Sequence, residues 1–269
     1  MTIAARHLTT RALLSLKGED LITFLQAIVS NDVRPLAKGE TVFAALLTPQ
    51  GKIMFDFFLV PADDKVFLDC LADQRDELLK RLMMYKLRAK VEITADDDHS
   101  VWVFSENPDI EGTLYQDPRH ESLGYRGILA NSPDLPLWAE TDYDTARIKA
   151  AVPELGKDFE ASKRFLSDMN YDMNNGVSYT KGCYVGQEVT ARMKHRGGIK
   201  KRTLPLQFEG DAPAIGTALK TDGKPAGEVL SSQGSHALAL LRLDALERGE
   251  IATESGTQIS LLKPQWLED

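Results

Sequence analysis

The sequence has few cysteines and no long apolar run. Its 269 residues include only two cysteines, Cys70 and Cys183, which lie far apart in the chain. A disulfide-stabilised scaffold is therefore not expected, and a reducing, cytoplasmic location is predicted. The apolar stretch near the N-terminus, residues 12–14, is too short for the core of a signal peptide. No other stretch approaches the length of a membrane-spanning helix, so no membrane partner is predicted.

The chain also lacks an excess of positive charge. Its formal net charge is −8, so no direct nucleic-acid partner is expected. The charge is unevenly distributed, because residues 181–202 contain seven basic residues and one acidic residue, Glu188, for a net charge of +6. This segment predicts either a site that receives an anion or a solvated basic face. Its basic residues are Lys181, Arg192, Lys194, Arg196, Lys200, Lys201 and Arg202.

Apolar patterning in the first half of the chain predicts mixed helices and strands. Two apolar runs, residues 41–47 and 53–60, flank a turn sequence that contains Pro49 and Gly51, and together they predict a β-hairpin. Apolar residues at helical spacing predict a helix over residues 73–85. Strands and helices joined by hairpins indicate an α+β fold rather than a doubly wound sheet.

The second half of the chain divides into three regions of different composition. Residues 105–136 are rich in Pro, Gly, Asp and Asn and are predicted to be mostly loop, and residues 145–152 predict a helix that Pro153 ends. After residue 200, short strands separated by glycines predict a small β-barrel. We therefore assign residues 1–200 to an α+β region, with subdomains at about 1–104 and 105–200, and residues 201–269 to a C-terminal β-barrel.

Cys183 has the surroundings of a reactive thiol. Gly182 precedes it and Gly186 follows three residues later, so that backbone can approach a partner closely. A helix predicted over residues 187–196 would place the thiol just before a helix N-terminus and beside Lys181. Both effects favour the thiolate, which is either a nucleophile or a soft metal ligand.

Two further features limit this prediction. Glu188 and Arg192 stand four residues apart and are expected to pair across one helical turn. A closed metal site is not predicted, because no second cysteine lies nearby and His195 has an unsuitable spacing. Cys70, by contrast, lies in an apolar, strand-like run that is typical of a structural cysteine.

The run from Lys181 to Glu188, Lys-Gly-Cys-Tyr-x-Gly-Gln-Glu, followed by Arg192, resembles the motif of the YgfZ family of folate-binding proteins. That family is related in fold to the T-protein (aminomethyltransferase) of the glycine cleavage system. Residues 30–33, the hairpin turn at residues 48–52 and residues 147–153 are similar to other parts of the same family.

The resemblance implies a fold and a set of site residues. The implied fold is α+β, a ring of two intertwined α+β subdomains that is closed by the C-terminal β-barrel and encloses a pocket for tetrahydrofolate. Within the motif it assigns roles to Gly182, Tyr184, Gly186, Gln187, Glu188 and Arg192. The implied catalytic residues are Cys183, Lys181 and Asp56, and the implied folate-binding residues are Asn31, Asp32, Gln50, Arg147, Tyr184 and Arg192.

The sequence departs from the T-protein pattern at two positions. T-proteins usually carry paired aspartates in the strand after the hairpin, whereas this chain retains only Asp56. Loss of one carboxylate weakens the case for one-carbon transfer, in which such a group steers a proton. The central helix has Lys149 where a T-protein typically offers a glutamate, and a lysine cannot accept hydrogen bonds from a pterin.

Three functions follow from these features. The leading hypothesis is a tetrahydrofolate-binding accessory factor that assembles or repairs iron–sulfur enzymes, including those that modify tRNA, with Cys183 as the key thiol. Its expected partners are iron–sulfur client proteins or the assembly machinery. The first alternative is a folate-dependent transferase of an aminomethyl or methyl group. The second is a non-catalytic adaptor that docks through the basic segment.

Overall fold

The structure, a computed structural model, describes residues 3–254, 256–257 and 259–267, apart from the side chain of Arg196. Its first unit is a five-stranded antiparallel sheet in the order β3-β4-β5-β2-β6, with helices α1 and α2. The elements are β2 (Arg11–Lys17), α1 (Leu21–Ile28), β3 (Val42–Leu47), β4 (Ile53–Ala62), β5 (Lys65–Leu71), α2 (Arg75–Lys86) and β6 (Glu92–Asp96). The predicted hairpin and the predicted helix after β5 are confirmed.

Both faces of this sheet are buried. Phe55, Phe57 and Leu59 of β4 pack with α1 and α2 on one face, whereas Phe58 and Val60 pack against the middle of the chain on the other. Successive strand residues point to opposite faces, so a strand buried on both sides has a nearly continuous apolar sequence. The apolar run at residues 53–60 follows from this arrangement.

A second sheet contains four antiparallel strands in the order β1-β7-β9-β8. They are β1 (Ala5–His7), β7 (Ser100–Phe104), β8 (Thr113–Gln116) and β9 (Tyr125–Leu129). The prediction that residues 105–136 are mostly loop is therefore wrong at β8 and β9. These strands are short and lie among turn-forming residues. Pairing of β9 with β7, and of β8 with β9, gives them their order rather than local propensity.

The segment between the two sheets and the C-terminal part is mostly irregular. Helix α3 (Glu140–Lys149) begins five residues before the predicted start and ends before Pro153. The helix predicted over residues 187–196 is α4 (Gln187–Arg192), which continues as one π-helical turn over Met193–Gly197. Gly198 follows in a left-handed conformation that ends the helical path.

The C-terminal part is a six-stranded antiparallel sheet with its own apolar core. Its order is β14-β11-β12-β13-β10-β15, and the predicted run of short strands is confirmed. The elements are β10 (Lys201–Phe208), β11 (Ala218–Thr221), β12 (Lys224–Gln233), β13 (His236–Arg242), α5 (Leu243–Leu246), β14 (Ala252–Thr253) and β15 (Ile259–Leu261). Gln258, which falls in the region predicted to form short strands, lies outside the described residues. In the part of the chain that is described, no helix is long and apolar enough to cross a membrane.

Candidate functional site

The cysteine loop, residues 181–186, displays its thiol at the surface. Cys183 is exposed and forms no disulfide, and Gly182 beside it is also exposed. Cys70, the other cysteine, is buried, and burial raises the pKa of its thiol to about 12. Cys183 was predicted to be an available thiol and Cys70 a structural one, and the exposure of the two side chains agrees with this difference.

Lys181 holds the loop against the N-terminal part of the chain. Its ammonium is buried and donates hydrogen bonds to the carbonyl oxygens of Val29 at 2.6 Å and Asn31 at 2.8 Å. Burial lowers the pKa of Lys181 to about 8, against a small opposing effect of Asp32. The Lys181 ammonium, which is predicted to favour the thiolate of Cys183, thus has two backbone carbonyls as its hydrogen-bond partners.

The other end of the loop packs on the β3–β4 hairpin. Gly186 has φ of +82°, and a Cβ built on it would lie 2.7 Å from the carbonyl oxygen of Thr48. In the same contact, a Cβ on Gly51 would lie 2.9 Å from Cβ of Val189. Tyr184 is buried in the core between these contacts. Two glycines from distant parts of the chain thus allow the loop and the hairpin turn to touch.

Part of the basic segment at residues 181–202 is already engaged within the fold. Besides Lys181, Arg202 binds the carboxylate of Asp172 at 2.6 and 2.8 Å. Arg192 pairs with Glu188 at 2.7 Å on the exposed face of α4, which confirms the predicted pairing. Three of the seven basic side chains therefore already have partners within the fold, and the local charge of +6 overstates what a ligand would meet.

A cavity of about 300 Å³ lies in the middle of the chain. It is bounded by β2, β4, β9, the loop before β9 and the segment after α3. This volume is at the lower end of the range for ligand pockets, roughly 300–1,000 Å³. We name it the arginine cavity after the side chains that define it, which are Arg11, Asp56, Phe58, Arg119, Arg126 and Glu154.

Buried carboxylates compensate the charge of the three arginines. Asp69 lies beneath the arginine cavity and accepts hydrogen bonds from Arg11 and from Arg126, each at 2.7 Å. Asp117 binds Arg119 at 2.8 Å. Burying a guanidinium without a partner would cost several kcal/mol, so this pairing is what permits Arg11, Arg119 and Arg126 to line one cavity.

Two of the carboxylates that line the arginine cavity, Glu154 and Asp56, differ in their surroundings. Burial raises the pKa of Glu154, but Arg147 and Arg119 outweigh it and lower the pKa to about 2, so Glu154 is ionised at neutral pH. The Oδ2 atom of Asp56 accepts a hydrogen bond from the Tyr171 hydroxyl at 2.7 Å. Its Oδ1 atom is buried and has no hydrogen-bond partner among the described residues.

That free acceptor makes the arginine cavity suitable for a ligand with N–H donors. A buried polar atom without a partner is costly, and a donor from a bound molecule would remove the cost. The nearest cation to Oδ1 of Asp56, the Arg11 guanidinium, is 3.6 Å away. A pterin ring presents N–H donors, so Asp56 and Glu154 could hold the pterin end of a folate.

Several residues predicted to bind folate lie elsewhere. Arg147 is fully buried and bonds to Asp158 and to Ser231 of β12, so it connects α3 to the C-terminal sheet, and it does not line the arginine cavity. Lys149 is exposed and does not line the arginine cavity, so it leaves the acceptors of Asp56 and Glu154 unaffected.

The N-terminal folate-binding residues lie on the outside of the chain near the cysteine loop. The Asn31 amide donates to the carbonyl oxygens of Phe43 and Asn175, and Asp32 pairs with Arg34. Gln50 is exposed at the hairpin turn. Of the predicted site residues, only Asp56 lines the arginine cavity.

The arginines of the cavity were missed because their partners are distant in sequence. Arg119 and Arg126 lie in the region predicted to be loop, and only the folded sheet brings Arg126 to Asp69. A basic residue in an otherwise apolar strand, such as Arg126 in β9, is the one signal that could have marked them.

The fold belongs to a known class. It is similar to the crystal structure of glycine cleavage system aminomethyltransferase T from Bartonella henselae, with a TM-score of 0.73 and 13% sequence identity over 97% of this chain and 85% of that one. A family model described as the C-terminal beta-barrel domain of CAF17 matches residues 200–269. The chain therefore has a T-protein-like fold with a C-terminal β-barrel, as predicted.

Sequence comparison identifies the family. The chain is 30% identical to the mitochondrial iron–sulfur cluster assembly factor IBA57 of Mus musculus, over 97% of this chain and 84% of that one. It is also 30% identical to the protein of the same name from Homo sapiens, over 98% and 85% of the two chains. The chain belongs to the family of IBA57-type iron–sulfur cluster assembly factors. This assignment confirms the predicted relation to iron–sulfur proteins, although it is to the IBA57 type rather than to YgfZ specifically.

The relatives also correct one prediction. They are named as mitochondrial proteins, which contradicts the cytoplasmic location predicted from the low cysteine content. Cysteine content reports the redox state of a compartment, and a low content does not distinguish between compartments that keep thiols reduced.

Proposed function

We propose that this chain is an iron–sulfur cluster assembly factor that binds a reduced folate in the arginine cavity and acts through the thiol of Cys183. Its partners are the assembly machinery or client enzymes, including those that modify tRNA. The observation that carries the proposal is the free, exposed thiol on a loop that is fixed at both ends. Membership of a family named for cluster assembly supports the same function.

The arginine cavity supports the folate part through its chemistry. The Oδ1 atom of Asp56, which accepts no hydrogen bond from the described residues, and the ionised carboxylate of Glu154 are acceptors for the N–H groups of a pterin. Its volume suits a pterin better than a whole folate, so the glutamyl end would extend from the cavity mouth. A bound folate would supply a carrier for a one-carbon unit, and the residues of the cavity would orient it.

The thiol and the cavity are separate features. Cys183 does not line the arginine cavity. A surface thiol suits a reaction with a group on another protein, such as a cluster or one of its thiolate ligands. The proposal therefore assigns recognition of folate to the cavity and contact with the partner protein to the cysteine loop.

The folate part is tested by titration calorimetry with tetrahydrofolate under reducing, anaerobic conditions. Asp56→Asn should weaken binding about tenfold to a hundredfold, because a hydrogen bond to a charged group contributes roughly 1.5–3 kcal/mol. Asp32→Asn is the matched control, since Asp32 lies outside the arginine cavity. A loss with Asp32→Asn and none with Asp56→Asn would place the ligand near the cysteine loop instead. No binding to the unaltered protein would refute the folate part altogether.

The thiol part is tested in cells that depend on this protein for iron–sulfur enzymes. Cys183→Ala should abolish the activity of those enzymes while leaving the free energy of unfolding within about 0.5 kcal/mol, because the side chain is exposed. Cys70→Ala removes the other thiol and should retain activity despite some loss of stability. Full enzyme activity with Cys183→Ala would contradict the role given to the thiol.

Transfer of an aminomethyl or methyl group is a second candidate, and the position of Asp56 in the arginine cavity favours it. A carboxylate there could take a proton from a folate nitrogen during transfer. This function requires turnover of a methylated or aminomethylated donor in the presence of tetrahydrofolate, and Asp56→Asn should reduce it. Absence of turnover with several donors, together with tight folate binding, would exclude it.

A further inference from the structure

A second basic segment lies at the end of α2, far in sequence from the cysteine loop. Residues 80–90 contain five basic residues and no acidic residue, in a chain whose net charge is −8. Leu78 and Leu82 of α2 are buried against the first sheet, so the helix has a fixed inner face. The outer face and the turn that follows form what we name the α2 patch, made up of Lys80, Met83, Met84, Lys86, Leu87 and Arg88.

Large apolar side chains are exposed at the centre of this patch. Met83 is 48% exposed, Met84 58% and Leu87 86%. Only two other large apolar residues among those described are exposed, Leu137 and Ile215. Clustered apolar side chains rimmed by charge mark interaction sites, and methionine adapts its shape to a partner surface.

Leu87 has an unfavourable backbone conformation, and packing of its side chain does not explain it. Its φ of +47° lies in the left-handed region, which is unfavourable for a leucine, yet its side chain makes little contact with the fold. The turn is fixed by a bond from Ala89 N–H to the carbonyl oxygen of Lys86, and by one from Lys90 N–H to Asp20, both at 2.8 Å. The exposed leucine is therefore a preformed feature, and such strain marks candidate functional positions.

Three of the five cations in residues 80–90 have no ion-pair partner among the described residues. Arg81 pairs with Glu77, and Lys90 pairs with Glu19. No described carboxylate forms an ion pair with Lys80, Lys86 or Arg88, although the chain carries more acidic than basic residues. These three charges are available to an incoming anion.

We propose that the α2 patch is a docking surface for an acidic partner protein, with the partner's carboxylates arranged around an apolar depression that receives Met84 and Leu87. Most of the chain is acidic and would repel such a partner, so the patch also sets the orientation of approach. The proposal does not depend on folate binding or on Cys183.

Two other ligands fit the patch less well. Single-stranded nucleic acid is held by aromatic side chains that stack on bases, whereas the exposed apolar residues here are aliphatic or thioether side chains. An anionic membrane takes up a long amphipathic face, whereas this patch covers about two turns and the first turn of α2 contains Asp76 and Glu77.

The test places a photo-crosslinking amino acid at position 84 of the full chain in cells, with the same group at the exposed Ile215 as the matched control. We expect a protein adduct from position 84 only, joined to a segment of the partner that is rich in Asp and Glu. The combined variant Lys80→Glu, Lys86→Glu and Arg88→Glu should lower the yield about tenfold or more. Reversal of the partner's carboxylates to lysine should restore the yield in that variant.

Leu87→Gly separates docking from a structural role. Glycine tolerates the left-handed turn, so this variant should unfold at the same or a higher denaturant concentration than the unaltered chain, and yet give less adduct. Equal adduct yields from positions 84 and 215, an adduct on lipid or RNA, or a yield unchanged by charge reversal would each overturn the proposal.

Discussion

The contact between the cysteine loop and the β3–β4 hairpin makes a quantitative prediction for the two glycines around Cys183. In Gly186→Ala, the new residue must adopt φ of +82°, and its Cβ would lie 2.7 Å from the Thr48 carbonyl oxygen and 3.0 Å from Cβ of Leu47. In Gly182→Ala, the new Cβ meets no atom within 4 Å. The two substitutions add the same methyl group to the same loop.

The expected cost for Gly186→Ala combines two effects. A left-handed conformation costs a residue with a Cβ roughly 1–2 kcal/mol. Overpacking against atoms that cannot move freely costs roughly 1–3 kcal/mol. The hairpin atoms are held by strand pairing, so both costs apply, and we expect a loss of about 2–5 kcal/mol in the free energy of unfolding. For Gly182→Ala the change should stay within about 0.5 kcal/mol.

Equilibrium unfolding in urea measures both variants, and equal slopes with denaturant would show that the transitions are comparable. Losses of similar size in the two variants would refute the argument, because only Gly186 faces the hairpin. Gly182→Ala has a second use, since a loss of iron–sulfur enzyme activity without a loss of stability would assign Gly182 to contact with the partner protein.

Two further predictions concern buried charges. The pKa of Lys181, lowered by burial to about 8 from an ordinary value of 10.5, means that the unfolded chain binds more protons between those pH values. The stability of the unaltered protein relative to Lys181→Met should therefore rise with pH across that window in thermal unfolding, and a difference that does not change with pH would contradict the burial of the ammonium. Arg147→Met leaves Asp158 buried without its cation and should cost roughly 3–5 kcal/mol. Arg192→Met breaks an exposed pair and should cost no more than about 1 kcal/mol, so equal losses in a urea titration would refute this reading of the two pairs.

Local signals predicted the parts of the fold whose sequence periodicity matches their burial. The hairpin at residues 42–62 and the glycine-punctuated strands after residue 200 were read from apolar runs and turn residues alone. Strands β8 and β9 were missed, because Thr113–Gln116 is short and Tyr125–Leu129 contains both a glycine and a buried arginine. Their order comes from the pairing of β9 with β7 and of β8 with β9, which no local pattern reports.

The sequence predicted the cysteine motif, but it did not predict the arginine cavity. The cysteine motif was recognisable because Gly182, Cys183 and Gly186 are adjacent in the sequence. The charged side chains of the arginine cavity come from five separate segments, and their pairing with Asp69 and Asp117 cannot be read from spacing. For the basic segment, the charge counted from the sequence was too high. Asp172 neutralises Arg202, and backbone carbonyls bind the ammonium of Lys181, and neither contact can be read from the sequence.

The bonds of Lys181 also bear on when the thiol becomes available during synthesis. Its two carbonyl acceptors, on Val29 and Asn31, lie about 150 residues earlier in the chain. A ribosome releases the N-terminal segment first, and contacts between distant segments form late and slowly. The cysteine loop therefore reaches its final position only when the N-terminal sheet is already in place. A nascent or truncated chain would carry the thiol without its fixed setting, so the chemistry proposed for Cys183 would be restricted to molecules that have completed folding.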